Sequence, residues 1–215
     1  MSYYFPEGSQ FYFTSTFAGA KTISAVTNAN PAAATSTSHG YVDNDIVLFS
    51  SGWEDATDTL YKVNQTGADN FEFLGLNSTD TDYFAAGSGT GSTYLASSWV
   101  SIPQVLSIST SGGDPRFTTI SPLARRNAIN VPTGFNPASI TVTLGHDPAD
   151  ANYLTMINIS RTLTKVGFKI ALGGGGTMYG YGYLSVSEIP SLNVGQPNSV
   201  QASFALLGKP ISYSS

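Results

Sequence analysis

Residues 139–172 read SITVTLGHDPADANYLTMINISRTLTKVGFKIAL, and this stretch decides the fold class. Its first six residues alternate hydroxyl and aliphatic side chains, a pattern that indicates a strand with one buried face. A helix signal follows, because Asp147 is a favourable N-cap residue and Pro148 suits the first helical position. We therefore predict a helix over about residues 148–162. The alternating run from Val166 to Leu172 then predicts a second strand.

The chain on the C-terminal side of this stretch is predicted to be entirely β. The run from Met178 to Val186 alternates so that Tyr179, Tyr181 and Tyr183 share one face, and residues 199–207 alternate in the same way. A row of tyrosines on a strand is compatible with a half-exposed sheet face. It is equally compatible with a subunit interface, because tyrosine has a large apolar body and a polar tip. Both interpretations stay open.

On the N-terminal side, residues 111–134 are rich in glycine, proline and arginine, and we predict a long loop. A compact domain seldom leaves so long a connection without structure of its own. We expect the loop to be mobile in a single subunit and to become ordered against a neighbour. The side chains expected at that contact are Arg116, Phe117, Arg125 and Arg126. The alternative is that the arginines only solvate the loop.

The charge distribution predicts two modules. Residues 40–95 contain nine acidic residues and one lysine, whereas the remainder of the chain contains five acidic and eight basic residues. Short β-type runs separated by turn residues fill the acidic segment, which indicates a small barrel. We therefore assign residues 1–39 and 96–215 to one domain and residues 40–95 to a second, acidic domain.

Composition gives no support for catalysis or for a cofactor. The chain has no cysteine and only two histidines, it lacks a Gly-x-Ser-x-Gly motif, and no histidine lies near other metal ligands at ligand spacing. We assign no catalytic, cofactor-binding or metal-binding residue. The first residues do not follow the pattern of a signal peptide, and no segment approaches the ~20 apolar residues of a membrane span. We expect no membrane insertion by this chain.

The acidic segment resembles a small β domain that is common in phage tail proteins and is named after a half-domain of ubiquitin-activating enzymes. Asn44 stands where that pattern usually has glycine, a replacement that a left-handed turn tolerates. No ubiquitin chemistry follows, because the chain lacks cysteine. The matching positions are His39-Gly40, Asp45-Ile46-Val47, Tyr61-Lys62-Val63, Asn70-Phe71 and Thr79-Asp80-Thr81-Asp82.

The order of a long loop, strand, helix, strand, hairpin and strand resembles the major tail tube proteins of siphophages, which have long non-contractile tails. The glycine run at 173–176 departs from that pattern, since relatives tend to carry a polar turn there. The matching segments are Thr110-Ser-Gly-Gly-Asp-Pro-Arg-Phe-Thr-Thr119, Arg125-Arg126, Val131-Pro-Thr-Gly134, Asp147-Pro148, Pro190-Ser-Leu-Asn-Val194 and Phe204-Ala-Leu-Leu-Gly-Lys-Pro-Ile-Ser-Tyr213.

This resemblance implies a mainly β (α+β) fold: a β-sandwich or barrel with one flanking α-helix and a long loop, plus a small inserted β-barrel-like domain. It implies a virion protein, made in the host cytoplasm, that forms stacked hexameric rings around the path of the viral DNA. The implied partners are further copies and the tape-measure, tail terminator and distal tail proteins. The lumen is expected to be acidic or neutral, with Glu188 and Asp114 as candidate acids. The alternative is a β-rich virion fibre, decoration or receptor- or carbohydrate-binding module.

Overall fold

A computed structural model describes residues 7–102 and 104–214, and it is built from β-strands with one α-helix, α1 (Ala151–Thr162). The predicted mainly β fold class is therefore confirmed. The strands are β1 (Gln10–Thr14), β2 (Thr16–Phe17), β3 (Lys21–Ile23), β4 (Ala25–Val26), β5 (Ala32–Thr35), β6 (Ile46–Ser51), β7 (Thr59–Gln65), β8 (Asn70–Leu74), β9 (Gly91–Ser97), β10 (Val100–Ile102), β11 (Val105–Ser111), β12 (Pro115–Ile120), β13 (Ile129–Phe135), β14 (Ser139–Gly145), β15 (Lys165–Ala171), β16 (Thr177–Val186), β17 (Ser199–Leu206) and β18 (Ile211–Tyr213).

The structure has two main sheets of eight strands each. The one with the longer strands, which we call the larger sheet, is antiparallel and rolled. Its strand order is β10-β1-β15-β16-β17-β14-β11, with β18 added beside β16. Strands β10 and β11 lie at opposite ends of this order, yet Ile102 and Val105 are only three residues apart in the chain. Three residues span at most ~11 Å. A flat sheet would separate its end strands by ~29 Å, from six spacings of ~4.8 Å. The sheet must therefore curl until its two ends approach each other.

The interior of the rolled sheet is aromatic and aliphatic. Phe11, Phe168 and Phe204 are fully buried there, and the ring centroids of Phe11 and Phe204 lie 5.1 Å apart. Helix α1 packs against β16 and β10 and contributes Tyr153, Met156 and Ile159 to the same core. Strands β1, β14, β15, β16 and β17 thereby each place buried side chains in this interior.

Helix α1 begins three residues later than predicted. Asp150, and not Asp147, is the N-cap, and its side chain accepts a hydrogen bond from the backbone N–H of Tyr153 at 2.8 Å. Asp147 instead accepts from Ala149 N–H in a preceding turn. The sequence offers two aspartates three residues apart, so capping propensity alone does not choose between them. The end at Thr162 agrees with the prediction.

The second sheet forms a small barrel from strands β2 to β9. Its order is β2-β9-β6-β7-β8-β5-β4, and β3 also pairs with β9. Strand β3 lies beside β9 near one edge of the sheet, and β4 forms the opposite edge. Only Ser24 separates β3 from β4 in the chain, so the two edges must meet and the sheet closes into a barrel. The interior holds Phe49, Trp53, Phe71 and Phe73.

The barrel starts earlier in the chain than the predicted boundary at residue 39. Strands β2 to β5 precede that boundary, yet they pair within the barrel sheet and not with the larger sheet. Residues 16–35 contain only one charged residue, Lys21, so the charge distribution carried no information about them. The barrel runs from Thr16 to Ser97.

Residues 111–134 are not a structureless loop, which corrects the prediction. Strands β12 and β13 pair as an antiparallel hairpin from Pro115↔Phe135 to Ile120↔Ile129, and β11 and β14 lead into and out of it. Glycine and proline in this segment favoured a loop assignment. The β-branched residues between them favour strands, and the cross-strand ladder follows from those. We call β12, β13 and their connecting turn the arm.

Within the described parts of the chain, no helix is long and apolar enough to cross a membrane.

Candidate subunit interface

The arm exposes apolar side chains on both of its faces. Cross-strand partners share a face, so Phe117 lies with Pro132 on one side, while Ile120 lies with Ile129 on the other. Phe117 is 55% exposed and Phe135 is 68% exposed. An isolated two-stranded hairpin is marginally stable in water, and it gains stability when a third layer covers it. No other part of the described chain provides that layer.

The three arginines predicted to contact a neighbour all lie on the arm. Arg116 is in β12 opposite Gly134, while Arg125 and Arg126 are in the turn between the strands. All three are exposed, and none forms an ion pair with an acid in residues 7–102 or 104–214. The structure thus brings Arg116 and Phe117 together on one strand and places the other two arginines at the tip.

The three tyrosines of β16 have different environments, which corrects part of the predicted interface. Tyr181 is only 7% exposed and packs against Ile46, Leu48 and Leu60 of the barrel. Tyr179 is half-buried beside the same cluster, whereas Tyr183 is 40% exposed. Tyr181 is thus a core residue of a single chain, because the barrel covers it. Tyr183 remains accessible to a second copy.

The contact between the barrel and the larger sheet was not predicted from the sequence. Phe17 meets Tyr181 edge to face at 5.5 Å, and a side chain at Gly167 would press on Leu60. A signal for this contact exists in β6. Its first four residues, Ile46 to Phe49, are all apolar and all buried, which is typical of a strand covered on both faces.

Tyr213, in the C-terminal strand β18, ties the larger sheet to the barrel by hydrogen bonds. Its hydroxyl accepts from Lys62 N–H at 2.9 Å and donates to the carbonyl oxygen of Leu74 at 2.7 Å. Burial raises the pKa of Tyr213 to about 12. Next to β18 in sequence, Lys209 forms an ion pair with Asp55 of the barrel at 2.7 Å.

The two acids considered for a channel wall have different positions. Glu188 forms a bidentate ion pair with Arg161 of α1, at 2.7 and 2.8 Å, and this arginine lowers the pKa of the Glu188 carboxyl. Asp114 lies just before the arm and is exposed. Because Arg161 neutralises Glu188, that carboxylate is a poor source of an acidic lumen.

Among the residues that the structure describes, no strand pairs with one edge of β11. It pairs with β14 on one side and ends the sheet on the other, and nearly all of its residues are exposed, including Leu106 and Ile108. Unpaired edges of this length attract further strands unless something covers them. The arm and this edge are neighbours in the chain, and together they form the candidate subunit interface.

A family model described as "Phage tail tube protein, TTP" matches residues 51–215. The chain belongs to the phage tail tube protein family. This confirms the predicted tail tube membership, and the matched range includes the arm, α1 and every strand of the larger sheet except β1. The match begins at the end of β6, so it also takes in three strands of the barrel. A tail tube protein is a structural component of the virion tail.

No curated protein matches the chain significantly. Among solved structures, the SPP1 tail tube, determined by solid-state NMR and cryo-EM, is similar over 55% of this chain and 69% of that one. The two chains are 14% identical, and the TM-score is 0.42.

Proposed function

We propose that this protein is the major tail tube subunit of a long, non-contractile phage tail. Its copies assemble into stacked hexameric rings, and the viral DNA passes through the channel that the rings enclose. Family membership supports the tail tube role. Assembly is supported by the exposure of the arm, because nothing within the described chain covers the apolar side chains on its two faces.

The arm supplies the contact between subunits in this proposal. Phe117 and Phe135 share one face of the hairpin and become buried against a neighbouring copy. Arg116, Arg125 and Arg126 pair with acids on that copy, and the chain has more acidic than basic residues. Aromatic and arginine side chains are the residues that most often dominate the energetics of interfaces.

The free edge of β11 supplies a second contact. Pairing it with a strand of the next subunit satisfies its backbone groups and extends the sheet from copy to copy. A closed ring removes such edges altogether, which protects the sheet from uncontrolled aggregation. Tyr183, at the exposed end of the tyrosine row, is a further candidate for the same contact.

The barrel projects to the outside of the tube in this proposal. It packs on strand β16 through Tyr181 and the apolar cluster of the barrel, and Leu60 of the barrel lies against Gly167 of β15. A module formed by residues 16–97 in every subunit would obstruct a channel through which DNA must pass. The expected partners at the ends and within the tube are the tail terminator, distal tail and tape-measure proteins.

The test is direct imaging of the purified full-length protein. We expect uniform hollow tubes or rings in negative-stain micrographs, and a sedimentation profile that shifts to large species as the protein concentration increases. Helical reconstruction of such tubes would report the number of subunits in a ring and the position of the barrel.

A different outcome favours the other class of virion protein. A fibre, decoration or receptor-binding module would remain a monomer or a small trimer at high concentration. A well-ordered monomer whose arm amides are protected from hydrogen exchange would contradict the proposal, because the arm would then need no second copy.

A further inference from the structure

Three adjacent strands of the larger sheet carry an uncharged, hydroxyl-rich surface. Their register aligns side chains into two rows: Ser109–Thr141–Ser203 and Ser107–Thr143–Gln201. We call these six residues the hydroxyl face. All six are exposed or half-buried, and none carries a charge.

The hydroxyl face points away from the core. Side chains alternate along a strand, and the neighbours of these residues in β14 and β17, such as Val142 and Ala202, are fully buried in the core that contains the aromatic cluster. Within the face, Thr141 and Ser203 are in hydroxyl–hydroxyl contact at 3.3 Å. The Ser109 hydroxyl donates to the backbone carbonyl oxygen of Thr141 at 3.5 Å, and the side chains of Ser107 and Gln201 are exposed to water.

The hydroxyl face differs from the other exposed surfaces of the subunit. The arm exposes apolar side chains and three arginines that form no ion pair in the described part of the chain, and the barrel bears nine acids between residues 40 and 95. The barrel is attached to β15 and β16, whereas the hydroxyl face lies on β17, β14 and β11, the other half of the sheet. Covering an apolar surface with a neighbouring subunit stabilises the assembly, whereas covering a hydroxyl surface stabilises it little.

We propose that the hydroxyl face lines the channel of the assembled tube, and that duplex DNA in transit is the molecule it faces. This rests on the proposed tail tube function and adds which residues form the wall. The wall is then neutral rather than acidic, which agrees with the ion pair that neutralises Glu188.

The chemistry of the face suits DNA that must move without being held. Lysine and arginine bind DNA because they displace condensed counterions from the phosphates, and each such contact strengthens sequence-independent binding. Hydroxyl groups carry no charge and exchange hydrogen bonds with water at little net gain. A wall of serine, threonine and glutamine therefore stays hydrated and offers phosphates no fixed cation.

The first experiment locates the face in assembled tubes. The natural chain contains no cysteine, so a single introduced thiol is the only target of a maleimide. The test variants are Gln201→Cys and Ser109→Cys, and the matched control is Gln65→Cys, at an exposed position at the end of barrel strand β7. Each variant is labelled both as assembled tubes and as dissociated subunits. Two reagents are used: a small maleimide, and a maleimide coupled to serum albumin. Albumin is wider than duplex DNA, so it should not enter a channel that fits the duplex.

We expect the small reagent to label all three variants in tubes, and the albumin reagent to label only Gln65→Cys. Dissociated subunits of all three should react with both reagents. Albumin labelling of Gln201→Cys in tubes as fast as that of Gln65→Cys would overturn the inference, because the face would lie outside. Loss of both reactions at Gln201→Cys in tubes would also overturn it, because the face would be a subunit contact. If no variant forms tubes and the natural chain does not either, the proposed function itself fails.

The second experiment adds a charge to the wall. Gln201→Lys changes the size of the side chain little, and Gln65→Lys is its matched control on the barrel. We expect Gln201→Lys tubes to retain linear duplex DNA at low salt and to release it as the salt concentration rises, while natural tubes do not retain it. Equal retention by the two lysine variants would contradict a channel position for Gln201.

Discussion

The arm and strand β16 both carry aromatic side chains in alternating strands, but these side chains differ in how far the rest of the chain buries them. Tyr181 in β16 is covered by the barrel, whereas Phe117 in the arm is covered by nothing in the described residues. Apolar area buried within a chain stabilises that chain, and area left open is available to stabilise an assembly. Substitutions in the arm should therefore impair tube assembly, whereas substitutions at Tyr181 in β16 should lower the stability of the folded monomer.

The largest effect is expected from Phe117→Asp combined with Phe135→Asp. Both side chains lie on one face of the arm, and a carboxylate buried there without a partner is strongly unfavourable. We expect tube formation to be lost while the melting temperature of the monomer stays close to that of the natural chain. Negative-stain imaging and thermal unfolding measure the two quantities.

Thr66→Asp, at an exposed turn of the barrel, is the control for added negative charge. It should leave assembly intact. If the arm variant still forms tubes of normal appearance, the arm is not the subunit contact and the contrast with β16 disappears.

Tyr181→Ala should act on the fold instead. Removing a large side chain from the contact between barrel and sheet leaves a cavity, and such changes cost ~3–5 kcal/mol of unfolding free energy. Tyr183→Ala, two residues along the same strand, is the matched control, and an exposed site should lose ~0.5 kcal/mol or less. Denaturant unfolding of the monomers measures both. Equal losses would mean that the barrel does not cover Tyr181 in solution.

Tyr213 should give an intermediate effect with a characteristic pH dependence. Tyr213→Phe leaves Lys62 N–H and Leu74 C=O without their partner, which costs ~1–3 kcal/mol. The natural chain should also lose stability as the pH rises from ~10 to ~12, because the unfolded tyrosine releases its proton at the lower pKa and the folded one at about 12. This tyrosine contributes a fall of at most ~1.4 kcal/mol per pH unit.

Alkaline unfolding curves of the natural chain and of Tyr213→Phe test this pH dependence. The variant should be less stable at neutral pH and should lose stability less steeply above pH ~10. Parallel curves for the two proteins would show that Tyr213 keeps its ordinary pKa in the folded state.

The smallest effect is expected at the tip of the arm. Arg125→Gln with Arg126→Gln should slow assembly and weaken its dependence on salt, because exposed charges steer association and salt screens them. Monomer stability should not change. Light scattering at low and high salt measures the assembly rate, and an unchanged salt dependence would remove these arginines from the interface.

Particular elements show how far the sequence could be interpreted. The alternation in β14, β15, β16 and β17 predicted strands, and the structure has them. The arm was predicted as a loop, since glycine and proline mark turns while the pairing of β12 with β13 depends on residues 9 or more positions apart. Of the predicted interface residues, the arginines and Phe117 lie on the exposed arm, but Tyr181 does not lie on a free surface. Nothing in its own strand distinguishes it from Tyr183.

The sequence by itself determined the β-rich class, the position where helix α1 ends and the tail tube family, because these depend on short-range periodicity and on local motifs. Only the tertiary structure decided where the barrel begins, which tyrosine the barrel covers and which strand edge stays open. Those features depend on contacts between residues far apart in the chain, such as Leu60 with Tyr181 and Lys62 with Tyr213. Local side-chain patterns show that a face is apolar, but they do not show which distant surface will cover it.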